Sequence, residues 1–130
     1  MIVVYKNTQI KLDIKVTDNN FGIKDEDKWC LVNLLTNNKE FSYNINDEIL
    51  TLNEIKNTIS ILEDFICNKI KNTRITYIKN YLKIKLITLK KIKSLELTLV
   101  EPKNIGNNTY KIILNEEEIK ILLEELKKVL

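Results

Sequence analysis

The sequence contains no histidine and no alanine, and only two glycines, two cysteines and one proline among its 130 residues. Without histidine, the chain lacks the usual general base near neutral pH and the commonest nitrogen ligand for metals. Gly22 and Gly106 are the only glycines, which excludes a glycine-rich phosphate loop. Cys30 and Cys67 lack the Cys-x-x-Cys spacing and the ligand number of a structural zinc site. We therefore expect no enzyme activity, no cofactor and no metal site.

Long apolar runs are also missing, because lysine or another polar residue interrupts every apolar stretch within a few positions. No segment reaches the roughly 20 apolar residues of a membrane-spanning helix, and the first residues do not resemble a signal peptide. We expect a cytoplasmic protein that makes no membrane contact. Cys30 falls in a predicted strand and Cys67 on the apolar side of a predicted helix, which favours two packed free thiols over a disulfide.

The composition is that of an ordinary globular protein, with 44% hydrophobic and 30% charged residues. A chain of this length is close to the commonest size of one domain, so we expect a single domain over residues 1–130, and a monomer. Alternating apolar and polar residues predict strands at 9–16, 29–35, 41–45, 74–78, 81–89, 95–100 and 110–114.

Two helices are predicted by capping boxes, Thr51 with Glu54 and Asn115 with Glu118, in which side chain and backbone satisfy each other at the helix start. The helices should cover residues 52–69 and 116–129, and their apolar stripes should be buried: Leu52, Ile55, Ile59, Leu62 and Ile66 in the first, Ile119, Leu122 and Leu126 in the second. These patterns predict an α+β fold with one curved, mainly antiparallel sheet of about seven or eight strands, a central helix and a C-terminal helix. The order is consistent with a ββββα unit used twice.

The charges are distributed unevenly along the chain. Residues 69–93 carry nine basic side chains and no acid, interleaved with Tyr77 and Tyr81. This block could follow a phosphate backbone, with tyrosines for bases to stack on. Lys83 and Lys85 could equally be the solvated face of a strand, where lysine keeps an exposed edge from pairing with other chains.

Acidic residues form two segments on either side of the predicted hairpin at 29–45. The first contains Asp25, Glu26 and Asp27, and the second contains Asp47 and Glu48. They could face a basic partner or serve as plain solubilising surface. The only tryptophan, Trp29, is adjacent to the first segment; it could be a packing residue or an interface anchor.

Several segments in order resemble the WapI family of immunity proteins. They are Trp29-Cys30-Leu31-Val32-Asn33, Phe41-Ser42-Tyr43, Glu48-Ile49-Leu50-Thr51, and residues 77–86, 95–101 and 110–130, so the resemblance covers roughly residues 8–130. The segment Lys79-Asn80-Tyr81 departs from it, since the family pattern is acidic there. The resemblance implies a bacterial antitoxin that binds and neutralises the toxic C-terminal domain of a contact-dependent toxin.

Inhibition by occlusion needs a complementary surface and no reactive group. Since nuclease-type toxins are usually basic, we expect the partner-binding surface to be the acidic rim with its aromatic residues: Asp25, Glu26, Asp27, Trp29, Tyr43, Asp47 and Glu48. The competing hypothesis assigns binding to Lys83, Lys85, Lys90 and Lys91. Two further alternatives are a nucleic-acid-binding module that uses residues 69–93, which we do not favour, and a small ligand-binding or assembly domain with a deep pocket or a symmetric dimer.

Overall fold

In a computed structural model of the chain, the described residues are 2–5, 8–17, 22–24, 27–37, 42–100 and 109–130. They form eight strands and two helices. The first half contains β1 (Ile2–Tyr5), β2 (Thr8–Val16), β3 (Trp29–Asn37), β4 (Ser42–Thr51) and α1 (Leu52–Ile66). The second half contains β5 (Thr73–Ile75), β6 (Leu82–Leu89), β7 (Ile92–Val100), β8 (Thr109–Asn115) and α2 (Glu116–Lys127). The predicted α+β class and the repeated ββββα order are confirmed.

The strands are divided between two sheets, whereas the sequence predicted one. In the described residues each sheet has four strands paired in chain order, β1-β2-β3-β4 in the first sheet and β5-β6-β7-β8 in the second, and every neighbouring pair is antiparallel. Antiparallel neighbours in chain order need only short connections, so the described strands of each half pair with one another. The helix α1 separates the two sets of strands along the chain.

Both helices begin where a strand ends, because the last strand residue is also the helix N-cap. The Thr51 hydroxyl accepts a hydrogen bond from the Glu54 amide, and the Glu54 carboxylate accepts one from the Thr51 amide. The same reciprocal pair joins Asn115 and Glu118 at α2. Both capping boxes are therefore confirmed. The helices end earlier than predicted, at Ile66 and Lys127.

One apolar cluster joins the inward sides of both sheets with both helices. The α2 stripe is buried as predicted, and in α1 Ile55, Ile59 and Leu62 are buried while Leu52 and Ile66 are half-buried at its ends. Each sheet therefore packs one of its sides against the core, and the exposed residues of its described strands lie on the other side. Neither helix in the described ranges has the length and apolar character to cross a membrane.

Tyr43 links the two sheets. It lies in β4 with 2% of its surface exposed, and its hydroxyl donates to the backbone carbonyl of Val100 in β7 at 3.0 Å. Its ring meets that of Tyr110 in β8 edge to face, with centroids 6.3 Å apart. Such a contact adds stabilisation beyond the burial of the two rings. Tyr43 is therefore a packing residue of the core.

Candidate partner-binding site

The predicted acidic and aromatic surface is centred on Trp29, at the start of β3. Trp29 is half-buried and pairs with Thr51, so it lies beside the start of α1. The ammonium group of Lys79 lies 4.6 Å from the centre of the Trp29 ring, a cation–π contact. The same ammonium donates to the backbone carbonyl of Glu48 at 2.6 Å. Lys79 thus fastens the segment between β5 and β6 onto β4.

Hydrogen bonds with residues of α1 hold this segment at a second place. One carboxylate oxygen of Glu54 accepts from the Thr51 amide at 2.9 Å, and the other accepts from the Ile78 amide at 2.8 Å. The Thr58 hydroxyl donates to the Glu54 carbonyl at 2.8 Å and lies 2.8 Å from the Tyr77 hydroxyl. The segment carrying residues 77–79 is therefore fixed to the first turns of α1 by side-chain hydrogen bonds.

This attachment leaves Ile78 pointing away from the core, with 72% of its surface exposed. The sequence predicted a strand over 74–78, but β5 ends at Ile75 and Ile78 follows in the connection. Ile78 precedes Lys79, whose ammonium contacts the Trp29 ring, so we treat Ile78 as a candidate contact residue. We call the surface of Asp27, Trp29, Asp47, Glu48, Ile78 and Lys79 the tryptophan corner.

Three of the predicted acidic residues lie within the described residues. Asp27 and Asp47 are exposed and Glu48 is half-buried. Asp47 and Glu48 belong to β4, whereas the sequence placed them beyond the strand; they pair with Val32 and Leu31 of β3. Asp25 and Glu26 lie outside the described residues.

The two aromatic residues of the predicted site differ in their exposure. Tyr43 was expected to anchor a partner if exposed, but its side chain is buried between the sheets, so it cannot contact one. The sequence already contained this signal, because Tyr43 and Ile45 share a face of β4 and both are buried. Trp29 keeps part of its surface accessible and remains a candidate.

The alternative lysines are all exposed. Lys83 and Lys85 lie on the outward side of β6, and Lys90 and Lys91 form the turn between β6 and β7. The tyrosines of the basic block do not accompany them, since Tyr77 is 7% exposed and Tyr81 packs against the core. The predicted combination of lysines with stacking tyrosines is therefore not present on the outward side of β6.

Among the described residues, two buried groups, Cys30 and Tyr77, have a shifted pKa. Burial raises the pKa of the Cys30 thiol, and it raises the pKa of Tyr77 to about 12. Both changes disfavour the reactive anion.

Cys30 and Cys67 are free, but Cys67 is exposed beyond the end of α1, whereas the sequence placed it on the packed side. In the described part of the chain, no three His, Cys, Asp or Glu side chains are grouped to hold a metal ion.

The architecture has a counterpart among solved structures. The fold is similar to that of a plant transcriptional regulator, PBF-2, with a TM-score of 0.51 and 8% sequence identity, over 99% of this chain and 86% of that one. At this identity the likeness concerns the fold alone. No curated protein sequence matches the chain. The model of the WapI-like immunity protein family matches residues 3–130, nearly the whole length. This chain belongs to the WapI-like family of immunity proteins.

Proposed function

We propose that this chain protects its cell by binding the toxic C-terminal domain of a cognate contact-dependent toxin in the cytoplasm and covering the surface with which the toxin acts. The family match over residues 3–130 carries this proposal, because an immunity function implies a protein toxin as partner. Neutralisation by occlusion requires a rigid complementary surface and no chemical step.

The tryptophan corner is our candidate for that surface. It combines an accessible part of Trp29 with the exposed Ile78, and Lys79 fixes both by its contacts with the indole ring and the Glu48 carbonyl. Interfaces draw most of their affinity from a few apolar or aromatic anchors held in place before binding. Asp27 and Asp47 are both exposed, and Asp27 lies two residues before Trp29, so their carboxylates would steer a basic toxin towards this surface.

Binding of a small molecule inside the core has less support. The apolar cavity between the sheets and helices has a volume of about 50 Å³ and is lined by Leu12, Leu34, Tyr77 and Leu97 among others. Pockets that bind drug-sized ligands usually measure roughly 300–1,000 Å³. This interior space is therefore too small for such a ligand.

The test uses the toxic C-terminal domain of a cognate contact-dependent toxin, produced with and without the immunity protein. Ile78→Asp places a charge in the proposed contact and should abolish protection of toxin-producing cells, because burying an unpaired carboxylate is strongly unfavourable. The matched control is Ile92→Asp, which makes the same change at a side chain of the same type that is 71% exposed. Protection that survives Ile78→Asp, or that is lost equally with Ile92→Asp, would contradict the choice of surface.

The steering role of the acids is tested separately by the rate of association. Asp27→Lys with Asp47→Lys should slow association with the toxic domain by at least roughly tenfold at low salt, and added salt should reduce the difference. Thermal unfolding of each variant verifies that the fold is intact. An unchanged association rate at both salt concentrations would show that the toxin does not approach this corner. If the wild-type protein neither binds nor protects, the immunity proposal itself fails.

A further inference from the structure

The second sheet carries a strongly basic side that neither helix of the described residues covers. Alternation along the strands directs Arg74 of β5, Lys83 and Lys85 of β6 and Lys111 of β8 outward, and all four are exposed. We call this side the basic face. It forms a groove of about 340 Å³ whose lining includes these four cations and the Thr98 hydroxyl.

The pairing of the strands brings these charges together. Arg74 lies directly opposite Lys85 in the ladder between β5 and β6. In the next row, Lys83 faces Thr98, which in turn faces Lys111. Like charges in directly opposite positions destabilise a sheet. On its other side Lys85 lies opposite Glu96 of β7, so part of this repulsion is offset within the sheet.

Little on the protein neutralises the basic face. Glu96 of β7 is the acidic residue that lines the groove, and its carboxylate lies 3.2 Å from the Lys111 ammonium. Among the described residues, Arg74, Lys83 and Lys85 have no carboxylate within ion-pair distance. Three of the four cations are thus available to an anion.

The simplest structural reason for these lysines does not hold. Lysine often protects a sheet edge against pairing with another chain. However, β6 is an inner strand that pairs with β5 on one side and β7 on the other. Lys85 lies at a position paired on both sides, so edge protection does not account for it.

We propose that the basic face binds the phosphate backbone of a nucleic-acid strand. Arginine and lysine with neighbouring threonine hydroxyls are the usual side chains that contact phosphates, and the groove contains Arg74, Lys83, Lys85, Thr76 and Thr98. An acidic protein fits less well, because protein interfaces are depleted in lysine whereas nucleic-acid interfaces are strongly positive. Tyr77 is buried and Tyr81 is half-buried against the core, so we expect little base stacking on this face, and binding should depend on phosphates more than on sequence.

The test measures the binding of the intact protein to a fluorescein-labelled oligothymidylate and to a DNA duplex of equal length by fluorescence anisotropy. Contacts with about four phosphates predict a slope of roughly −3 for log affinity against log salt, so that a fourfold rise in salt weakens binding by roughly 60-fold. Lys83→Glu with Lys85→Glu should abolish binding to both. Arg74→Ser provides a milder second variant, which should weaken binding and flatten the slope by nearly one unit.

The matched control is Lys15→Glu with Lys56→Glu, two exposed lysines on β2 and α1. Each replacement changes the charge by two units, so both double variants go from +3 to −1, since 3 − 4 = −1. The proposal requires that the control binds close to wild-type strength. Equal loss of binding in both double variants would show that net charge alone causes the effect, and would overturn the proposal. Displacement by polyglutamate as effective as displacement by unlabelled DNA would instead identify an acidic-protein site, and would also overturn it.

Discussion

Replacing Tyr77 with phenylalanine should change stability with opposite signs at neutral and alkaline pH. The Tyr77 hydroxyl is buried and lies 2.8 Å from the Thr58 hydroxyl, whose own hydrogen is directed to the Glu54 carbonyl at 2.8 Å. Thr58 has a single hydrogen to donate, so Tyr77 must be the donor of the pair. Tyr77→Phe removes that bond and leaves Thr58 satisfied, which should lower the free energy of unfolding at pH 7 by about 1 kcal/mol.

The alkaline effect follows from the pKa of the same group. Burial, reinforced by the nearby Glu54 carboxylate, raises the pKa of Tyr77 from 10 to about 12. The folded state therefore holds the phenolic proton more tightly than the unfolded state. This contribution to stability is fully present below pH 10 and is lost as the pH rises from 10 to about 12, a change of roughly 2–3 kcal/mol. The phenylalanine variant has no such loss, so it should become the more stable protein within this range.

Urea unfolding followed by the fluorescence of Trp29, the only tryptophan, measures both proteins from neutral pH to pH 12. Other effects of alkaline pH act on both proteins equally, and the comparison cancels them. Tyr81→Phe, a tyrosine only partly buried at the start of β6, serves as the control and should show no reversal. A difference between Tyr77→Phe and wild type that keeps the same sign and size at all pH values would refute the reasoning.

Two further stability predictions concern the hairpin between β6 and β7. Lys90 and Lys91 have φ angles of 51° and 66°, which suit asparagine and glycine better, so Lys90→Asn with Lys91→Gly should raise the free energy of unfolding by roughly 1–2 kcal/mol; no gain in urea unfolding would contradict this. Lys93 is 8% exposed and donates to the Ile66 carbonyl at 2.8 Å. Lys93→Met should cost roughly 1–3 kcal/mol in the same assay because that carbonyl loses its partner, and an unchanged midpoint would show that water replaces the ammonium.

The local elements could be predicted because their signals lie within a few residues. Strict alternation located β2, and reciprocal side-chain and backbone bonds located the starts of α1 and α2. β4 was predicted to stop at Ile45, because the next residues are polar. It continues to Thr51, since its ladder with β3 runs as far as the pair of Trp29 with Thr51. The length of a strand depends on its partner, which a local pattern does not show.

The arrangement of the site depends on contacts between distant parts of the chain. The Ile78 amide meets Glu54, 24 residues earlier, and the Lys79 ammonium meets the Glu48 carbonyl, 31 residues earlier. Neither contact has a sequence signature, so the exposure of Ile78 was missed. Likewise, one sheet and two sheets of antiparallel strands give the same alternation, and only the choice of hydrogen-bond partners separates them.

Glu54 should influence toxin binding without touching the toxin, a prediction that depends on the proposed function. One of its carboxylate oxygens accepts a hydrogen bond from the Thr51 amide, and the other accepts one from the Ile78 amide. Glutamine has a single side-chain oxygen and can keep only one of these bonds. Glu54→Gln should therefore loosen the segment that presents Ile78. The lost ordering then has to be supplied on binding, which should weaken affinity by roughly three- to tenfold.

The second capping box provides the matched control. In α2, one oxygen of Glu118 accepts from the Asn115 amide at 3.1 Å, and the other has no hydrogen-bond partner in the described residues. Glu118→Gln makes the same chemical change at the same helix position with no neighbouring segment to release. Surface binding assays should therefore show faster dissociation of the toxic domain from Glu54→Gln alone, with similar association rates, since steering charges are retained at Asp27 and Asp47. Equal dissociation rates for the two variants would mean that Ile78 is held by other contacts, and that Glu54 serves only its helix.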